Sequence, residues 1–325
     1  MTVRLITRAS FRRESSIERD PRGRRRTLAL VNNMPDGAFD ATERQYLELI
    51  EEGARGYGVD VRRYTMVGVP RGAETSRRIR GDYLSFHDIY LNPPDFLVVT
   101  GSNPIEPVIQ NEPYWADLAE LVAWARESVP STLLSCLSAH AALTVFDGIE
   151  RIRLLEKCTG VFPQTVDLGQ PLTNGLESEI LLPHSRWNSV PRVDLERVGY
   201  QVVIHSEVTG WSVASREEGG HQVVLVQGHP EYDPWSLVRE YRRDAGRYVR
   251  HERDDPPFLP YHCSSREDWG LLESLQYEIT HGERDPVLVD TFPFDEVGAR
   301  APWPWRSTAI QFFANWLTNV GLGED

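Results

Sequence analysis

Residues 131–146 read STLLSCLSAHAALTVF, and this stretch decides the fold of the chain. Ser131–Ser135 has the apolar and small side chains of a buried strand, and Leu137–Phe146 continues at once as an alanine-rich helix. Cys136 stands alone at the turn between them. A nucleophile at a sharp strand-to-helix turn is the elbow arrangement of many α/β enzymes.

This elbow suits a thiol for electrostatic reasons. A helix N-terminus presents unpaired N–H groups and a partial positive charge, and both favour the thiolate form of Cys136. The amide of Leu137 can also donate to a developing oxyanion. Ser135 and Ser138 are the small residues that stand where such elbows usually carry glycine. From this stretch alone, a buried cysteine that acts only as a small apolar side chain explains Cys136 equally well.

Short apolar strands alternate with amphipathic helices on both sides of the elbow. The predicted strands are Thr27–Val31, Val59–Met66, Phe96–Thr100, Ser131–Ser135, Gln201–Ile204, Trp211–Ala214 and Gln222–Gln227. The predicted helices are Thr42–Glu52, Trp115–Glu127, Leu137–Phe146, Pro234–Val249 and Trp303–Leu317. This alternation predicts an α/β fold with a mostly parallel sheet and helices on both faces. We expect a single domain over residues 27–325, preceded by an N-terminal arm at 1–26 and interrupted by an insertion at 264–300.

Composition narrows the range of functions. The chain has 325 residues and a formal net charge of −13, which argues against nucleic acid as its main partner but leaves room for a local basic pocket. It has no apolar run of about 18 residues, so we expect no membrane span. Its three cysteines are too few for a disulfide scaffold, which favours reduced thiols and a cytoplasmic location.

A second chemical motif follows the last predicted sheet strand. Residues 227–232 read QGHPEY, with His229 at the strand end and Glu231 two residues later across a proline. A catalytic histidine needs a rigid support and a carboxylate that fixes its tautomer. Alone, such a turn is more often a plain surface feature. Beside an elbow cysteine, it predicts a Cys136–His229–Glu231 triad.

The elbow and the His-Pro-Glu turn resemble the class I glutamine amidotransferase fold. More narrowly, the chain resembles the cysteine-dependent homoserine O-succinyltransferase/O-acetyltransferase family of methionine biosynthesis, over residues 27–263 and again at Trp303–Leu317. The motifs that narrow the resemblance to this family are the loop Asn33-Met34-Pro35 and Lys157. The other matching segments are Val99–Gly101, Tyr114-Trp115, Leu182–Arg186, Gly228–Asp233, Trp305-Arg306 and Asn315–Leu317.

The resemblance implies a role for each triad residue. Cys136 would be the acylated nucleophile, His229 the base and Glu231 its partner. Oxyanion stabilisation would come from backbone N–H groups at Leu137 and near Ser102.

The resemblance also implies the substrate-binding residues Lys157, Ser185 and Arg243. Lys157 is the only lysine among 35 lysine and arginine residues, so composition independently draws attention to it. The alternative is that this lysine was retained by chance at a surface position. A bidentate contact suits Arg243 as the partner of an amino acid carboxylate, but without the resemblance it is one more exposed helical arginine. His184, within the same motif as Ser185, is explained equally well as a packed core histidine.

The resemblance implies that the choice between acetyl-CoA and succinyl-CoA depends on one position of the loop after the third predicted strand. In the resembling family, Glu at this position goes with acetyl-CoA and Gly with succinyl-CoA. Aligning the proline of this loop places Glu106 there, whereas an ungapped alignment places Ile105. Either side chain is bulkier than glycine, so we expect acetyl to be favoured over succinyl.

The resemblance therefore implies a ping-pong O-acyltransferase that acts on L-homoserine, with acyl-CoA as co-substrate, no bound cofactor, no metal and a homodimeric state. Asp36-Gly37 replaces the lysines that the family often carries after Met-Pro, which keeps L-serine open as an alternative acceptor. A glutamine amidotransferase or cysteine hydrolase would keep the same triad without needing Lys157 or Arg243. A non-enzymatic binding protein is less consistent with an intact triad.

Overall fold

The computed structural model describes residues 3–8, 10–11, 25–55, 58–104 and 106–319. The strands are β1 (Val3–Ile6), β2 (Arg26–Val31), β3 (Val59–Tyr64), β4 (Phe96–Val99), β5 (Ser131–Ser135), β6 (Ile152–Val166), β7 (Glu179–Ser189), β8 (Gln201–Ser206), β9 (Gly210–Glu218) and β10 (His221–Val226). The α-helices are α1 (Asp36–Gly53), α2 (Ala73–Asp82), α3 (Asp88–Leu91), α4 (Trp115–Ser128), α5 (Leu137–Asp147), α6 (Arg192–Arg197), α7 (Trp235–Val249), α8 (Arg266–His281), α9 (Pro286–Asp290), α10 (Phe294–Ala299) and α11 (Arg306–Asn319).

These strands form one sheet in the order β1-β3-β2-β4-β5-β10-β9-β8-β6-β7. From β1 to β10 the neighbours are parallel, and from β10 to β7 they are antiparallel. β5 and β10 lie side by side, with Ser135 in register with Val226. Because parallel strands end at the same edge, the elbow after β5 and the His-Pro-Glu turn after β10 meet there.

Alternate residues of the parallel strands enter two separate apolar cores. On β2, Leu28 and Leu30 join the core covered by α1, α7 and α11, whereas Ala29 and Val31 join the core covered by α4 and α5. Burial on both faces explains why these strands are continuously apolar instead of alternating. The predicted α/β fold, with a mostly parallel sheet and helices on both faces, is confirmed.

The longest strand pair was not predicted from the sequence. β6 and β7 pair over most of their length, with an irregularity between Arg153 and Cys158. β6 begins with exposed and half-buried residues, including exposed Leu155, so it lacks the apolar run that marks the central strands. Pairing with β7, not local propensity, makes this segment a strand.

Residues 264–300, which show no clear period in sequence, contain α8, α9 and α10. α8 begins at a capping residue, because the Ser265 side chain accepts a hydrogen bond from the Asp268 amide at 3.2 Å. Asp285 caps α9 in the same way, with Pro286 in the first turn. Leu272 and Ile279 of α8 lie in the core beneath α7, so this segment supports the helix that follows the His-Pro-Glu turn.

The described part of the predicted N-terminal arm lies on the sheet. β1 pairs in parallel with β3, and Arg4 forms an ion pair with Asp60 at 2.5 Å. Residues 12–24 of the arm lie outside the described residues. Among the described helices, none combines the length and apolar character needed to cross a membrane.

Candidate active site

Cys136 adopts a strained backbone conformation at the elbow. Its φ is +50° and its ψ is −106°, and it is one of four non-glycine residues with positive φ in the part of the chain that the structure describes. The Cys136 amide donates to the Val226 carbonyl at 2.7 Å. Strain of this kind persists only where the surroundings fix it, and it often accompanies catalytic nucleophiles.

His229 and Glu231 form a buried hydrogen-bonded pair. The Nδ1 atom of His229 lies 2.7 Å from a Glu231 carboxylate oxygen, and the two residues are 7% and 4% exposed. Burial by itself would lower the pKa of His229, but the charge of Glu231 and contact with Cys136 raise it well above its ordinary value. The structure thus favours an imidazolium ring at neutral pH.

The remaining ring nitrogen of His229 faces the nucleophile. Nε2 is buried and has no hydrogen bond of normal geometry among the described residues. Cys136 is the side chain that, after Glu231, most raises the pKa of His229 by hydrogen bonding and charge. The three predicted triad residues are therefore together in the order Cys136, His229, Glu231.

A polar network holds the elbow and the His-Pro-Glu turn in register. The His140 Nε2 atom, one turn into α5, lies 2.9 Å from the Gln227 Oε1 atom. Gln227 in turn donates to the Trp211 carbonyl at 2.7 Å, and the His229 amide donates to the Pro183 carbonyl at 2.8 Å. Fixed backbone positions on two neighbouring strands place the cysteine and histidine for reaction.

Tyr232 stacks on the catalytic histidine. The ring centroids of Tyr232 and His229 are 4.3 Å apart, with an interplanar angle of 18°. The Tyr232 carbonyl accepts hydrogen bonds from the indoles of Trp303 and Trp305 at 3.1 and 2.8 Å. The segment before α11 thus fixes the turn that carries His229. This contact explains the role of Trp305 in the Trp305-Arg306 motif.

One of the predicted oxyanion groups, the Leu137 amide, lies beside the nucleophile together with Gly101, the residue before Ser102. A Cβ atom placed on Gly101 would lie 3.4 Å from the Cys136 Cβ and 3.7 Å from the Leu137 amide nitrogen. Leu137 opens α5, where N–H groups have no intrahelical partner. The Ser138 hydroxyl donates to the Thr100 carbonyl at 2.6 Å, which ties this loop to the helix. The backbone around Gly101 and Leu137 therefore borders the space next to the thiol.

The predicted substrate residues converge on a carboxylate that sequence reasoning missed, Glu240 of α7. Lys157 from β6 lies 3.3 Å from one Glu240 oxygen, and the Ser185 hydroxyl from β7 donates to the same oxygen. Tyr232 donates to the other oxygen at 2.5 Å. Since Tyr232 also stacks on His229, this polar cluster is continuous with the triad.

The cluster holds Glu240 in its charged form. Burial would raise the pKa of Glu240, but the charges of Lys157 and Arg243 and the hydrogen bonds from Ser185 and Tyr232 lower it to about 2. Lys157 also lies 3.0 Å from Asp244, which in turn pairs with Arg243 at 2.9 Å. Arg243 therefore sits at the edge of the cluster, paired with an acidic neighbour.

No sequence signal distinguished Glu240 or Asp244. Both flank the apolar stripe of α7, where acidic residues are ordinary helix-surface groups. Only the packing of β6 and β7 against α7 brings a buried lysine to them. His184 is buried, with Nε2 3.0 Å from the Ser212 hydroxyl, and burial lowers its pKa well below its ordinary value.

The loop after β4 carries Glu106, the residue predicted to select the donor. The Glu106 amide donates to a Glu112 carboxylate oxygen at 2.8 Å, which fixes the loop end. Ile105, the alternative donor-selecting position, lies outside the described residues. Among the side chains that the structure describes, no cluster of three or more His, Cys, Asp or Glu residues could hold a metal ion.

The fold and the site define a class. An elbow cysteine after β5 and a His-Pro-Glu turn after its parallel neighbour β10 are the arrangement expected of the class I glutamine amidotransferase-like fold. Similar solved structures include a glutamine amidotransferase from Methylobacillus flagellatus, with a TM-score of 0.47 and 15% identity over 91% of this chain and 94% of that one. Another, from Thermotoga maritima, has a TM-score of 0.43 and 13% identity over 91% and 97% of the two chains.

Sequence relatives give the family. A profile described as homoserine O-succinyltransferase matches residues 9–322. Proteins named homoserine O-succinyltransferase are 39% identical in Methylorubrum extorquens, over 93% of this chain and 89% of that protein, and 37% identical in Rhodopseudomonas palustris, over 90% and 87%. The chain belongs to the homoserine O-succinyltransferase family.

Proposed function

We propose that this protein transfers an acyl group from acyl-CoA to the hydroxyl of L-homoserine through a thioester on Cys136. The observation that supports this most directly is the continuity between the triad and the Glu240 cluster, joined by Tyr232. A cysteine hydrolase needs the triad but has no need of a buried lysine and a half-buried arginine around a carboxylate next to it. An enzyme that holds a zwitterionic amino acid has use for both charges.

The first half-reaction starts from the Cys136 thiolate and the imidazolium of His229. The thiolate attacks the thioester carbonyl of acyl-CoA, and the oxyanion that forms receives hydrogen bonds from backbone N–H groups near Leu137 and Ser102. Collapse of this intermediate breaks the bond to the CoA sulfur. His229 gives its proton to that sulfur, so that free CoA leaves and the imidazole becomes neutral.

The second half-reaction uses the neutral imidazole. His229 takes the proton of the homoserine hydroxyl as the oxygen attacks the acyl carbonyl on Cys136. Collapse releases the O-acyl product and restores the thiolate and the imidazolium. Glu231 stabilises the charged ring in each cycle and keeps its proton on the correct nitrogen.

The charged cluster is suited to bind the two charged ends of an amino acid acceptor. We place the α-carboxylate on Arg243, whose side chain is 37% exposed and lies at the edge of the cluster, and the α-ammonium near Glu240, which stays anionic. Lys157 and Ser185 keep Glu240 fixed and charged. L-serine has the same charged ends, but its hydroxyl is one carbon closer to them. Homoserine and serine must therefore be compared directly as acceptors.

Intact-protein mass spectrometry tests the mechanism. The protein is mixed with succinyl-CoA or acetyl-CoA without acceptor, and we expect a mass gain of one acyl group. Cys136→Ala should abolish the gain, whereas the control Cys158→Ala should keep it. Addition of homoserine or serine should discharge the acyl-enzyme and identify the acceptor. No acylation by either donor, together with glutamine hydrolysis, would instead indicate an amidotransferase.

A further inference from the structure

The hydroxyl of Thr100 lies directly after β4, at the edge of the sheet where the elbow and the His-Pro-Glu turn meet. Thr100 is 1% exposed, and its amide donates to the Val31 carbonyl at 3.0 Å. Its side-chain oxygen accepts a hydrogen bond from the Asn33 amide at 2.9 Å and donates to the Gly101 carbonyl at 3.0 Å. None of the proposed reaction steps uses this hydroxyl.

These contacts direct the hydroxyl proton of Thr100 towards the Gly101 carbonyl. Because the hydroxyl oxygen accepts from the Asn33 N–H, its own proton remains available to donate to Gly101. Asn33 is itself fixed, since its side-chain oxygen accepts from the Met66 amide at 3.1 Å just after β3. The loop after β2 therefore orients the hydroxyl, and this contact gives the Asn33-Met34-Pro35 motif a structural role.

The hydrogen bond to the Gly101 carbonyl fixes the peptide group that also carries the Ser102 amide, a predicted oxyanion donor. A peptide group is planar, and in its trans form the C=O and the N–H point in opposite directions. No cis peptide bond occurs in the described part of the chain. Since the Thr100 hydroxyl holds the Gly101 oxygen, it also holds the Ser102 N–H in one direction, facing away from Thr100.

The preceding peptide group is fixed from the elbow helix. The Ser138 hydroxyl donates to the Thr100 carbonyl at 2.6 Å, and Ser138 is the second residue of α5. A Cβ atom placed on Gly101 would lie 3.4 Å from the Cys136 Cβ. The two peptide groups held by these hydroxyls therefore border the nucleophile directly.

We propose that Thr100 is a positioning residue of the acyl transfer, whose hydroxyl holds the Gly101–Ser102 peptide so that the Ser102 N–H is aimed at the oxyanion formed at Cys136. This inference rests on the proposed acyltransferase function. Thr100 acts through the peptide group and does not itself touch the reacting atoms. An oxyanion donor lowers the barrier when it is already in place as the charge develops.

The size of the effect follows from the role of the donor. Loss of a whole oxyanion donor lowers kcat roughly 10²- to 10³-fold, so a donor that is retained but loosened should cost less, about 10- to 100-fold. The acyl carbonyl carries the oxyanion both when Cys136 attacks and when the acceptor attacks. A positioning role for Thr100 therefore predicts similar losses in the two half-reactions.

Single-turnover kinetics on wild type, Thr100→Val, Thr100→Ser and Thr132→Val test the proposal. Intact mass follows acylation by whichever of succinyl-CoA and acetyl-CoA acylates wild type, and then discharge by the acceptor. Thr132 of β5 is also 1% exposed, and its hydroxyl has no hydrogen-bond partner among the described residues. Thr132→Val therefore makes the same substitution without removing such a bond. Alkylation of Cys136 by iodoacetamide reports on the thiolate in a reaction that forms no oxyanion.

We expect Thr100→Val to slow acylation and discharge by similar factors of about 10- to 100-fold, with alkylation of Cys136 at the wild-type rate. Thr100→Ser keeps the hydroxyl and should recover most of the loss, and Thr132→Val should keep all three rates. Ser138→Ala removes the hydroxyl that holds the other peptide group. It should slow both half-reactions about 10-fold and replaces Thr100→Val if that variant does not fold.

Three results would overturn the positioning role and leave the acyltransferase proposal standing. They are wild-type acyl transfer in Thr100→Val, or in Ser138→Ala if it is used instead, a loss confined to one half-reaction, and an equal loss of alkylation. Failure of wild type to acylate Cys136 with either donor would reject the proposed function, and the inference with it.

Discussion

Acid should destabilise this protein through His140, a buried histidine one turn into the elbow helix. His140 is 2% exposed, and its Nε2 atom lies 2.9 Å from the Gln227 Oε1 atom. Burial, together with the charges of Arg186 and Arg151, lowers the pKa of His140 from 6.5 to about 4. Between about pH 4 and pH 6.5 the ring is therefore mostly neutral in the folded protein and mostly charged in the unfolded chain.

The sign and size of the effect follow from this difference. Because the folded pKa is lowered, the unfolded chain binds the proton first, and stability falls as pH falls from about 6.5 towards 4. The full shift corresponds to roughly 3 kcal/mol, of which about 2 kcal/mol is lost between pH 7 and pH 5.

Urea unfolding at pH 7 and pH 5 measures this loss. We compare wild type with His140→Gln, which cannot be protonated, and use His87→Gln at an exposed histidine as the control. The drop in unfolding free energy should be about 2 kcal/mol smaller in His140→Gln than in either reference protein. An equal drop in all three proteins would refute the assignment of this acid sensitivity to His140.

Three further predictions concern the triad, the charged cluster and a strand contact. Glu231→Gln should lower kcat about 100-fold or more and lower the pKa of His229, seen as a shifted pH–rate profile. Lys157→Met should remove the buried cation that contacts both Glu240 and Asp244 and cost about 3 kcal/mol in urea unfolding. Gly160→Ala should cost about 2–4 kcal/mol, because its Cβ would lie 2.6 Å from backbone atoms of Tyr261 and its φ is +141°.

A different outcome would contradict the prediction for each of these variants. Wild-type kcat in Glu231→Gln would show that the carboxylate does not assist His229. Full stability of Lys157→Met would show that the cluster is well solvated. Gly210→Ala has positive φ and nothing within 4 Å of its Cβ, so it controls for backbone strain alone. Equal losses at Gly160 and Gly210 would exclude a steric contribution from Tyr261.

Local sequence signals were sufficient for the elements that bear the nucleophile and its base. β5 was predicted with its exact bounds, and the helix after Cys136 to within one residue. A central parallel strand is apolar throughout because both of its faces are buried. Such a continuous apolar run can be predicted from the sequence alone. The turn at residues 227–232 could be predicted for a similar reason, since it directly follows such a strand.

The partners of Lys157 were decided by tertiary structure. Its lone occurrence marked the position, but its carboxylate partners come from α7, which is 83 residues away at Glu240 and 87 at Asp244. Contacts between distant segments depend on how the antiparallel half of the sheet packs, and no local pattern encodes that packing. Local sequence patterns indicate which groups could react, whereas tertiary packing sets which charges surround them, because charge pairing and burial are properties of neighbours in space.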